Sequence, residues 1–210
     1  MIIVHGRATS TNVQNVMWCA AELGLDVDRR DVGGAFGGTD TPEYRAMNPN
    51  GVIPTVEIDG TVLWESAAIV RCLAAMHGDE TFWPRDPLTR ARLDKWAEWG
   101  RATLAPRMQP FFLQLIFARP EDRNQAVIDA ALPPLKAALG ILDAHLAGSQ
   151  WIGEDFSFAD ILPGVLMYRA HELGLAGDDH PNVSRWYRDL AARPAYAAHA
   201  MVPFDSLRPK

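Results

Sequence analysis

Residues 50–66 read Asn-Gly-Val-Ile-Pro-Thr-Val-Glu-Ile-Asp-Gly-Thr-Val-Leu-Trp-Glu-Ser, and this segment is the most informative about the fold. Two short apolar-rich runs, Val52 to Ile58 and Thr61 to Trp64, are joined by Asp59-Gly60, which is a strong signal for a β-hairpin. Pro54 marks the beginning of the first strand, because a proline at that position donates no ladder hydrogen bond. The stretch therefore predicts a hairpin that leads directly into a helix.

The same residues predict a binding site. If the peptide bond before Pro54 is cis, the Ile53 main chain turns outward and leaves its N–H and C=O free to pair with an extended ligand. Glu65 and Ser66 open the next helix, where unpaired N–H groups and a hydroxyl favour an anion and a carboxylate can hold an ammonium. The alternative is an ordinary hairpin followed by an ordinary N-capped helix. The ordered set favours a site for a small zwitterionic peptide.

These residues resemble the glutathione-site signature of the cytosolic glutathione transferases. The resemblance covers the chain from the first strand to the Arg-Pro-Ala-Tyr segment near the C-terminus. It implies that glutathione is the co-substrate, with its cysteinyl backbone on the Val-Ile-Pro segment and its γ-glutamyl end on Glu-Ser. The glutathione-binding residues implied in this way are Val52, Ile53, Pro54, Glu65 and Ser66. The resemblance also implies a homodimer, in which the Ser66 helix of one subunit packs near the Leu88 helix of the other.

Composition excludes several classes of partner. The chain has 210 residues, a formal net charge of −6, 48% hydrophobic and 22% charged residues, which are typical of a soluble globular protein. The negative charge argues against nucleic-acid and anionic-membrane surfaces, and we expect no leader and no apolar run of membrane-spanning length. Cys19 and Cys72 lie in helical patterns without a Cys-x-x-Cys pairing, which favours a reduced cytoplasmic protein.

Two domains are predicted. Residues 1–78 alternate strand and helix signals in the order βαβαββα, which predicts a thioredoxin-like α/β domain with helices on both faces of a small sheet. Residues 79–87 contain two prolines around Arg-Asp and predict a linker. Residues 88–210 lack strand signals and predict an all-α C-terminal domain. Asp178-Asp179-His180 within it is predicted to be a solvated turn.

The helical domain has three informative segments. Residues 88–117 indicate a long helix or kinked pair, bent where Pro106 and Pro110 remove internal hydrogen bonds. Residues 124–146 indicate a second helix, in which Pro133-Pro134 either produces a kink or starts a new helix. Ser157 is the predicted N-cap of a third helix, with Asp160 at the third position.

The loop after the first strand places three hydroxyls and an amide at the N-terminus of the following helix. Such residues are common helix caps, but a hydroxyl and a helix N-terminus also lower the pKa of a bound thiol, which is ~8.5 when free. By similarity to the serine-type transferases, Ser10 is the predicted thiol-activating residue, and Thr9 and Asn12 are the alternatives. A tyrosine mechanism is not expected because no tyrosine precedes Tyr44, and Cys19 is interpreted as a core thiol.

Two further regions complete the predicted site. In the loop from Gly33 to Gly38, many family members supply a side chain for the glycyl carboxylate of glutathione, but here only Phe36 and main-chain N–H groups are available; Arg7, Arg101 and Arg107 are alternatives. An apolar electrophile is expected between the domains. The candidate residues for it, which could equally be core, are Trp99, Thr103, Met108 and Phe111. The six histidines lack metal-ligand spacing, so no metal site is predicted.

The sequence therefore predicts a cytosolic, serine-type glutathione transferase that activates the thiol of glutathione for addition to an apolar electrophile. Glutathione-dependent peroxide or disulfide reduction uses the same thiolate and is an alternative reaction. A non-catalytic binding module on the same scaffold is the alternative from another class, because a fold does not fix a function.

Overall fold

A four-stranded mixed sheet forms the first part of the chain in the computed structural model, which describes residues 1–177 and 179–209, so that the turn predicted at 178–180 lies partly outside the described residues. The strands are β1 (Ile2–His5), β2 (Val27–Arg30), β3 (Thr55–Ile58) and β4 (Thr61–Trp64), in the spatial order β2-β1-β3-β4. β1 runs parallel to β2 and antiparallel to β3, and β3 and β4 form the predicted hairpin.

Burial explains the place of each strand in the sheet. All four residues of β1 are buried, so a continuous apolar run occupies a central position. In β2, the alternate residues Asp28 and Arg30 are exposed and joined by an ion pair of 2.9 Å. Charged side chains of this kind are typical of an edge strand, since they discourage pairing with another chain.

Ten α-helices lie within the described residues. They are α1 (Thr11–Glu22), α2 (Pro42–Met47), α3 (Ser66–His77), α4 (Pro87–Trp99), α5 (Ala105–Phe111), α6 (Gln125–His145), α7 (Phe158–Gly164), α8 (Met167–Glu172), α9 (Pro181–Ala191) and α10 (Pro194–His199). The observed order through α3 is βαβαββα, and every later element is helical, which confirms the predicted fold class. The predicted linker at 79–87 stays a prediction.

The predicted long helix of residues 88–117 is continuous but not uniformly α-helical. α4 passes through a π-helical segment, Gly100–Leu104, into α5, and a second π-helical segment, Phe112–Phe117, follows. Pro106 and Pro110 both lie within this continuous helix, where neither can donate a main-chain hydrogen bond, and the helix continues through both. The wider π turns rotate the later side chains around the helix axis, which determines what faces the cleft described below.

α6 bears on two predictions: the effect of Pro133-Pro134 on the helix, and the absence of an apolar segment of membrane-spanning length. Pro133 and Pro134 do not end the helix, which runs unbroken from its N-cap Asn124. The segment Gln125–Gly148 is long and apolar enough to span a membrane by length and composition alone, so the expectation that no run approaches that length was wrong. Four residues of one α6 face, Leu135, Ala138, Leu139 and Leu142, are buried in the core, and 22% of the apolar window is buried within the protein.

The start of α7 is a buried capping box, as predicted. The Ser157 hydroxyl accepts from the main chain of the first turn, and the Asp160 carboxylate accepts from Ser157 N at 3.0 Å. Asp160 also accepts from the main-chain N of Ile152 at 3.1 Å and from Trp186 Nε1 at 2.9 Å. Burial raises the pKa of the Asp160 carboxyl to about 6, while the three N–H donors oppose that shift.

The helical region packs directly on α1. Trp18 and Tyr196 meet edge to face with ring centroids 4.7 Å apart, and the Arg193 guanidinium contacts Glu22 with an N–O distance of 2.6 Å. α4 crosses α7 closely at Gly100, because a Cβ on that residue would lie 2.7 Å from the main-chain N of Pro163. Small residues at such a crossing allow two helix backbones to approach each other.

Gly100→Ala is therefore expected to destabilise the protein by about 1–3 kcal/mol, because the added methyl overlaps backbone that cannot move aside. Urea denaturation would measure the loss. Gly140→Ala in α6 is the matched control: its nearest contact would be 3.8 Å, so it should stabilise the helix by about 0.5–1 kcal/mol. Equal effects of the two substitutions would contradict the close crossing.

Candidate active site

A cleft of about 490 Å³ lies where the β1–α1 loop and the start of α3 face the helical region. Five of the predicted site residues line it together: Thr9, Ser10, Asn12, Glu65 and Ser66. The rest of its lining is Arg7, Thr11, Arg101, Ala105, Pro106, Gln109, Phe112, Leu113, Phe117, Leu166, Arg169 and Leu207. Polar groups from the α/β domain thus face a mostly apolar wall from the helices.

Ser10 is the N-cap residue of α1, but its hydroxyl does not cap the helix. Its main-chain carbonyl accepts from Gln14 N at 2.8 Å, while the Oγ has no hydrogen-bond partner in the described part of the chain. The side chain is half-buried and lines the cleft. A free hydroxyl beside the unpaired N–H groups of a helix N-terminus can stabilise an anion there.

The two alternatives to Ser10 each accept one side-chain hydrogen bond. Thr9 Oγ1 accepts a hydrogen bond of 2.8 Å from Arg7 Nη1. Asn12 is exposed, and its Oδ1 accepts from Ser66 Oγ at 3.4 Å, which links the two polar segments of the cleft. All three residues therefore keep a donor that could reach a bound thiol, and Ser10 differs from the other two because its side chain makes no hydrogen bond within the described part of the chain.

The segment before β3 has the predicted cis bond between Ile53 and Pro54. Neither the N–H nor the C=O of Ile53 is hydrogen-bonded within residues 1–177 and 179–209. Ile53 lies against the start of the β1–α1 loop, because a Cβ on Gly6 would lie 3.3 Å from Ile53 Cβ. The exposed Val52 is different, since its carbonyl already accepts from the Tyr44 hydroxyl at 2.8 Å and from Asn48 Nδ2 at 2.9 Å.

A small buried network, which no sequence pattern predicted, holds this segment in place. Asn48 and Thr55 are fully buried, and Asn48 Nδ2 donates to Thr55 Oγ1 at 3.1 Å. Thr55 Oγ1 in turn donates to the Tyr44 hydroxyl at 2.9 Å. Polar groups with satisfied partners in a core fix a single arrangement, so these three residues position the main chain of Ile53.

Glu65 and Ser66 occupy the predicted positions at the start of α3. Glu65 has a positive φ of 71°, which is uncommon for a residue with a side chain and is concentrated at functional sites. Its carboxylate has no ion-pair or hydrogen-bond partner among the described residues, although it lines the cleft. Ser66 is buried, with its hydroxyl directed to Asn12.

The predicted electrophile residues do not line the cleft. Met108 and Phe111 are fully buried in the core, and Trp99 packs on Trp96 with ring centroids 5.4 Å apart. Thr103 is likewise absent from the lining, and its carbonyl accepts from Arg107 Nη1 at 2.8 Å. Seven residues of this continuous helix line the cleft, and five of them recur at every fourth position: Arg101, Ala105, Gln109, Leu113 and Phe117; the other two are Pro106 and Phe112. The two π-helical segments explain the correction, because their wider turns keep a four-residue spacing on one face.

The arginines of the region differ in their partners. Arg101 is ion-paired with Glu98, and Arg107 donates to the main chain of its own helix. Arg7 and Arg169 both line the cleft. Arg169 could not be predicted as a site residue, because a single arginine in a helical segment forms no recognisable motif. Burial and the neighbouring Arg7 charge lower the pKa of Arg169 to about 10, so both guanidinium groups are charged at neutral pH.

Over the residues that the structure describes, no group of three or more His, Cys, Asp or Glu side chains is placed to hold a metal ion. Cys19 is fully buried, and burial raises the pKa of its thiol, so it is not a nucleophile for the cleft.

Comparisons with known proteins agree with this architecture. The glutathione S-transferase N-terminal domain model matches residues 9–76, and the C-terminal domain model matches residues 104–194. The chain is 38% identical over 206 residues to glutathione S-transferase GstB of Escherichia coli, covering 97% of this chain and 99% of that protein. It is 32% identical to glutathione S-transferase 4 of Zea mays, over 91% of this chain and 88% of that one.

A solved structure gives the same result. The theta class glutathione S-transferase from Xanthomonas axonopodis pv. citri, with glutathione bound, superposes with a TM-score of 0.91 at 39% identity, covering 97% of this chain and 98% of that chain. Thus the relatives, the structural neighbour and the fold agree along nearly the whole length. The chain belongs to the glutathione S-transferase family and is a glutathione transferase.

Proposed function

We propose that the cleft binds glutathione beside Ser10 and that the Ser10 hydroxyl stabilises its thiolate for attack on an electrophilic carbon. The observation that carries this proposal is the free Ser10 hydroxyl at the N-terminus of α1, in the same cleft as the unpaired Glu65 carboxylate. The thiol proton leaves to solvent, the sulfur forms a bond to carbon, and the leaving group departs with its electron pair. No protein nucleophile takes part.

Lowering the thiol pKa is the central task of the site. A thiol with pKa ~8.5 is only a few per cent ionised at neutral pH. A hydrogen bond from Ser10 Oγ and the positive end of α1 both favour the thiolate over the thiol. Together they would keep a large fraction of bound glutathione ready to react.

The remaining parts of glutathione match the free groups around Ser10. The unpaired N–H and C=O of Ile53 would pair with the cysteinyl main chain, with Val52 and Pro54 fixing the segment on either side. The Glu65 carboxylate would hold the γ-glutamyl ammonium, and Ser66 with the α3 N-terminus would hold its carboxylate.

Glu65→Gln should raise the KM for glutathione about 10-fold, because a charge-assisted contact to the ammonium becomes a neutral one. N-acetylglutathione, which lacks that ammonium, should bind the wild-type enzyme equally weakly. Its KM should not rise further in the variant, since the two changes remove the same interaction. Additive losses would show that Glu65 does not contact the ammonium.

The second substrate would lie against the apolar wall of the cleft. Phe112, Leu113 and Phe117 supply aromatic and aliphatic surface there, in place of the four residues predicted from the sequence. Such a surface suits apolar electrophiles.

A direct experiment tests the proposed function. The protein should be retained on immobilised glutathione, should be released by free glutathione, and should conjugate 1-chloro-2,4-dinitrobenzene. Neither retention nor turnover is expected from a binding module that uses another ligand, so failure of both would remove the proposal.

We propose further that the enzyme is a cytoplasmic homodimer. Met76 of α3 is 52% exposed and Leu88 of α4 is 73% exposed, and these helices are the ones the family resemblance places at a subunit contact. Sedimentation should give twice the chain mass of 23.2 kDa. Leu88→Glu should shift the protein toward the monomer, because it buries a charge in an apolar contact.

A further inference from the structure

Within residues 1–177 and 179–209, the buried cation Arg169 has no anionic partner. Only 4% of its surface is exposed, and its Nε is buried without a hydrogen-bond partner. Its guanidinium lies 5.2 Å from the ring centroid of Phe112 and 5.5 Å from that of Phe204, and Nη2 donates to the main-chain oxygen of Thr9. No carboxylate of the described residues forms an ion pair with it, although buried charges are normally paired.

Arg7 places a second uncompensated charge beside it. Arg7 Nη1 donates to Thr9 Oγ1 at 2.8 Å, and its Nε is also buried without a partner. The other charges in the cleft are Glu65, which pairs with neither arginine, and Arg101, which is neutralised by Glu98. Two like charges held around Thr9 repel each other, so an arriving anion would remove an unfavourable interaction as well as gain two favourable ones.

We propose that Arg169 and Arg7 bind a carboxylate carried by the second substrate, so that this enzyme prefers acidic apolar electrophiles. This inference rests on the proposed function and adds the substrate class to it. Guanidinium groups match carboxylates in shape and charge, and a neutral electrophile would leave both cations unpaired in the cleft.

The carboxylate belongs to the electrophile rather than to glutathione because of what surrounds Arg169. Its guanidinium lies over the rings of Phe112 and Phe204, and the same cleft is lined by Leu166 and Leu207. A tripeptide without an apolar side chain has nothing to place on that surface, whereas an aromatic acid presents a ring to the apolar wall and its charge to the arginines. Thr9, which both arginines contact, is adjacent to Ser10, so a small acid would hold its reactive carbon near the thiolate.

A matched pair of substrates tests this preference. 4-Chloro-3,5-dinitrobenzoate and the corresponding benzamide share their ring and leaving group and differ in the charge of one substituent. In each, the thiolate sulfur bonds to the chlorine-bearing carbon, the carbon–chlorine bond breaks, and chloride leaves; the carboxylate or amide is unchanged. After division by the uncatalysed rates, kcat/KM should favour the benzoate by roughly 10- to 100-fold, the range expected for a charge-assisted contact.

Variants assign that preference to the arginines. Arg169→Gln and Arg7→Gln should each reduce the benzoate-to-benzamide ratio by roughly 10-fold or more. Arg101→Gln is the matched control, because it removes a cleft arginine whose charge is already paired, and it should change the ratio less than about 2-fold. The benzoate-to-benzamide ratio of kcat/KM is measured because a change in the reactivity of the thiolate would alter both rates equally and cancel in the ratio. If Arg169→Gln does not fold, Arg169→Lys should give an intermediate ratio.

The experiment separates the failure of this inference from failure of the proposed function. Equal normalised turnover of benzoate and benzamide would overturn the substrate preference while leaving the transferase function intact. If neither is turned over, calorimetric titration with 3,5-dinitrobenzoate and 3,5-dinitrobenzamide still decides, since only the acid should bind and only when Arg169 is present. If Arg169→Gln instead raises the KM of glutathione but not that of γ-glutamylcysteine, the arginines bind the glycyl carboxylate and the inference is wrong.

Discussion

Ser10→Ala is expected to lower kcat/KM for conjugation by about 100-fold. This is the size of effect seen when an enzyme loses one hydrogen-bond donor that is positioned to stabilise an anion, here the glutathione thiolate. The fold of the variant should be unaffected, because the Ser10 hydroxyl does not cap α1 and its removal breaks no hydrogen bond of the helix. The pKa of enzyme-bound glutathione should therefore rise by about 1–2 units, which corresponds to one charge-assisted hydrogen bond. Ultraviolet titration of the thiolate in the bound state measures that shift directly.

Two neighbouring substitutions serve as controls for Ser10. Thr9→Val removes a hydroxyl that is already bonded to Arg7, and Asn12→Ala removes an exposed amide that accepts from Ser66. Neither should move the thiol pKa by more than a few tenths of a unit if Ser10 is the activating residue. A normal titration in Ser10→Ala, together with a raised pKa in Asn12→Ala, would transfer the role to Asn12.

Asp160→Ala should be the most destabilising single substitution in the helical region, with a loss on the order of 4 kcal/mol. The carboxylate accepts from Ile152 N, Ser157 N and Trp186 Nε1, and the residue is completely buried. Alanine would leave three donors in the core without acceptors, each at a cost of about 1–3 kcal/mol before relaxation. Equilibrium unfolding in urea gives the value.

Ser157→Ala is the matched control for Asp160, since it removes the other half of the same capping box. It should cost about 1 kcal/mol, because a lost N-cap leaves a single donor to be satisfied. Similar losses for both substitutions would mean that Asp160 acts as an ordinary cap rather than as the centre of a buried network that joins three segments.

Local signals in the sequence were sufficient for the α/β domain. The hairpin turn at Asp59-Gly60 and the proline before β3 each restrict backbone conformation within a few residues, so the hairpin and its place in the element order could be predicted. The polar residues at the ends of β1 and β4 could also be identified, because a thioredoxin-like order brings those ends to one edge of the sheet. Five of these residues line one cleft.

Features that depend on distant contacts could not be predicted. The family was identified from the resemblance of residues 50–66 to the glutathione-site signature. Short-range turn and capping chemistry was enough to predict the order of elements and the positions of Ser10, Glu65 and Ser66 at helix starts. The face of the helix that lines the cleft after Gly100 is known from the tertiary structure alone. The π turns rotate the later side chains around the helix axis, and no sequence pattern predicts where such turns occur. The contact between Arg169 and Thr9, which are 160 residues apart in the sequence, is likewise known only from the tertiary structure. Whether a charged side chain has an ion-pair partner can be judged only once its neighbours in space are known.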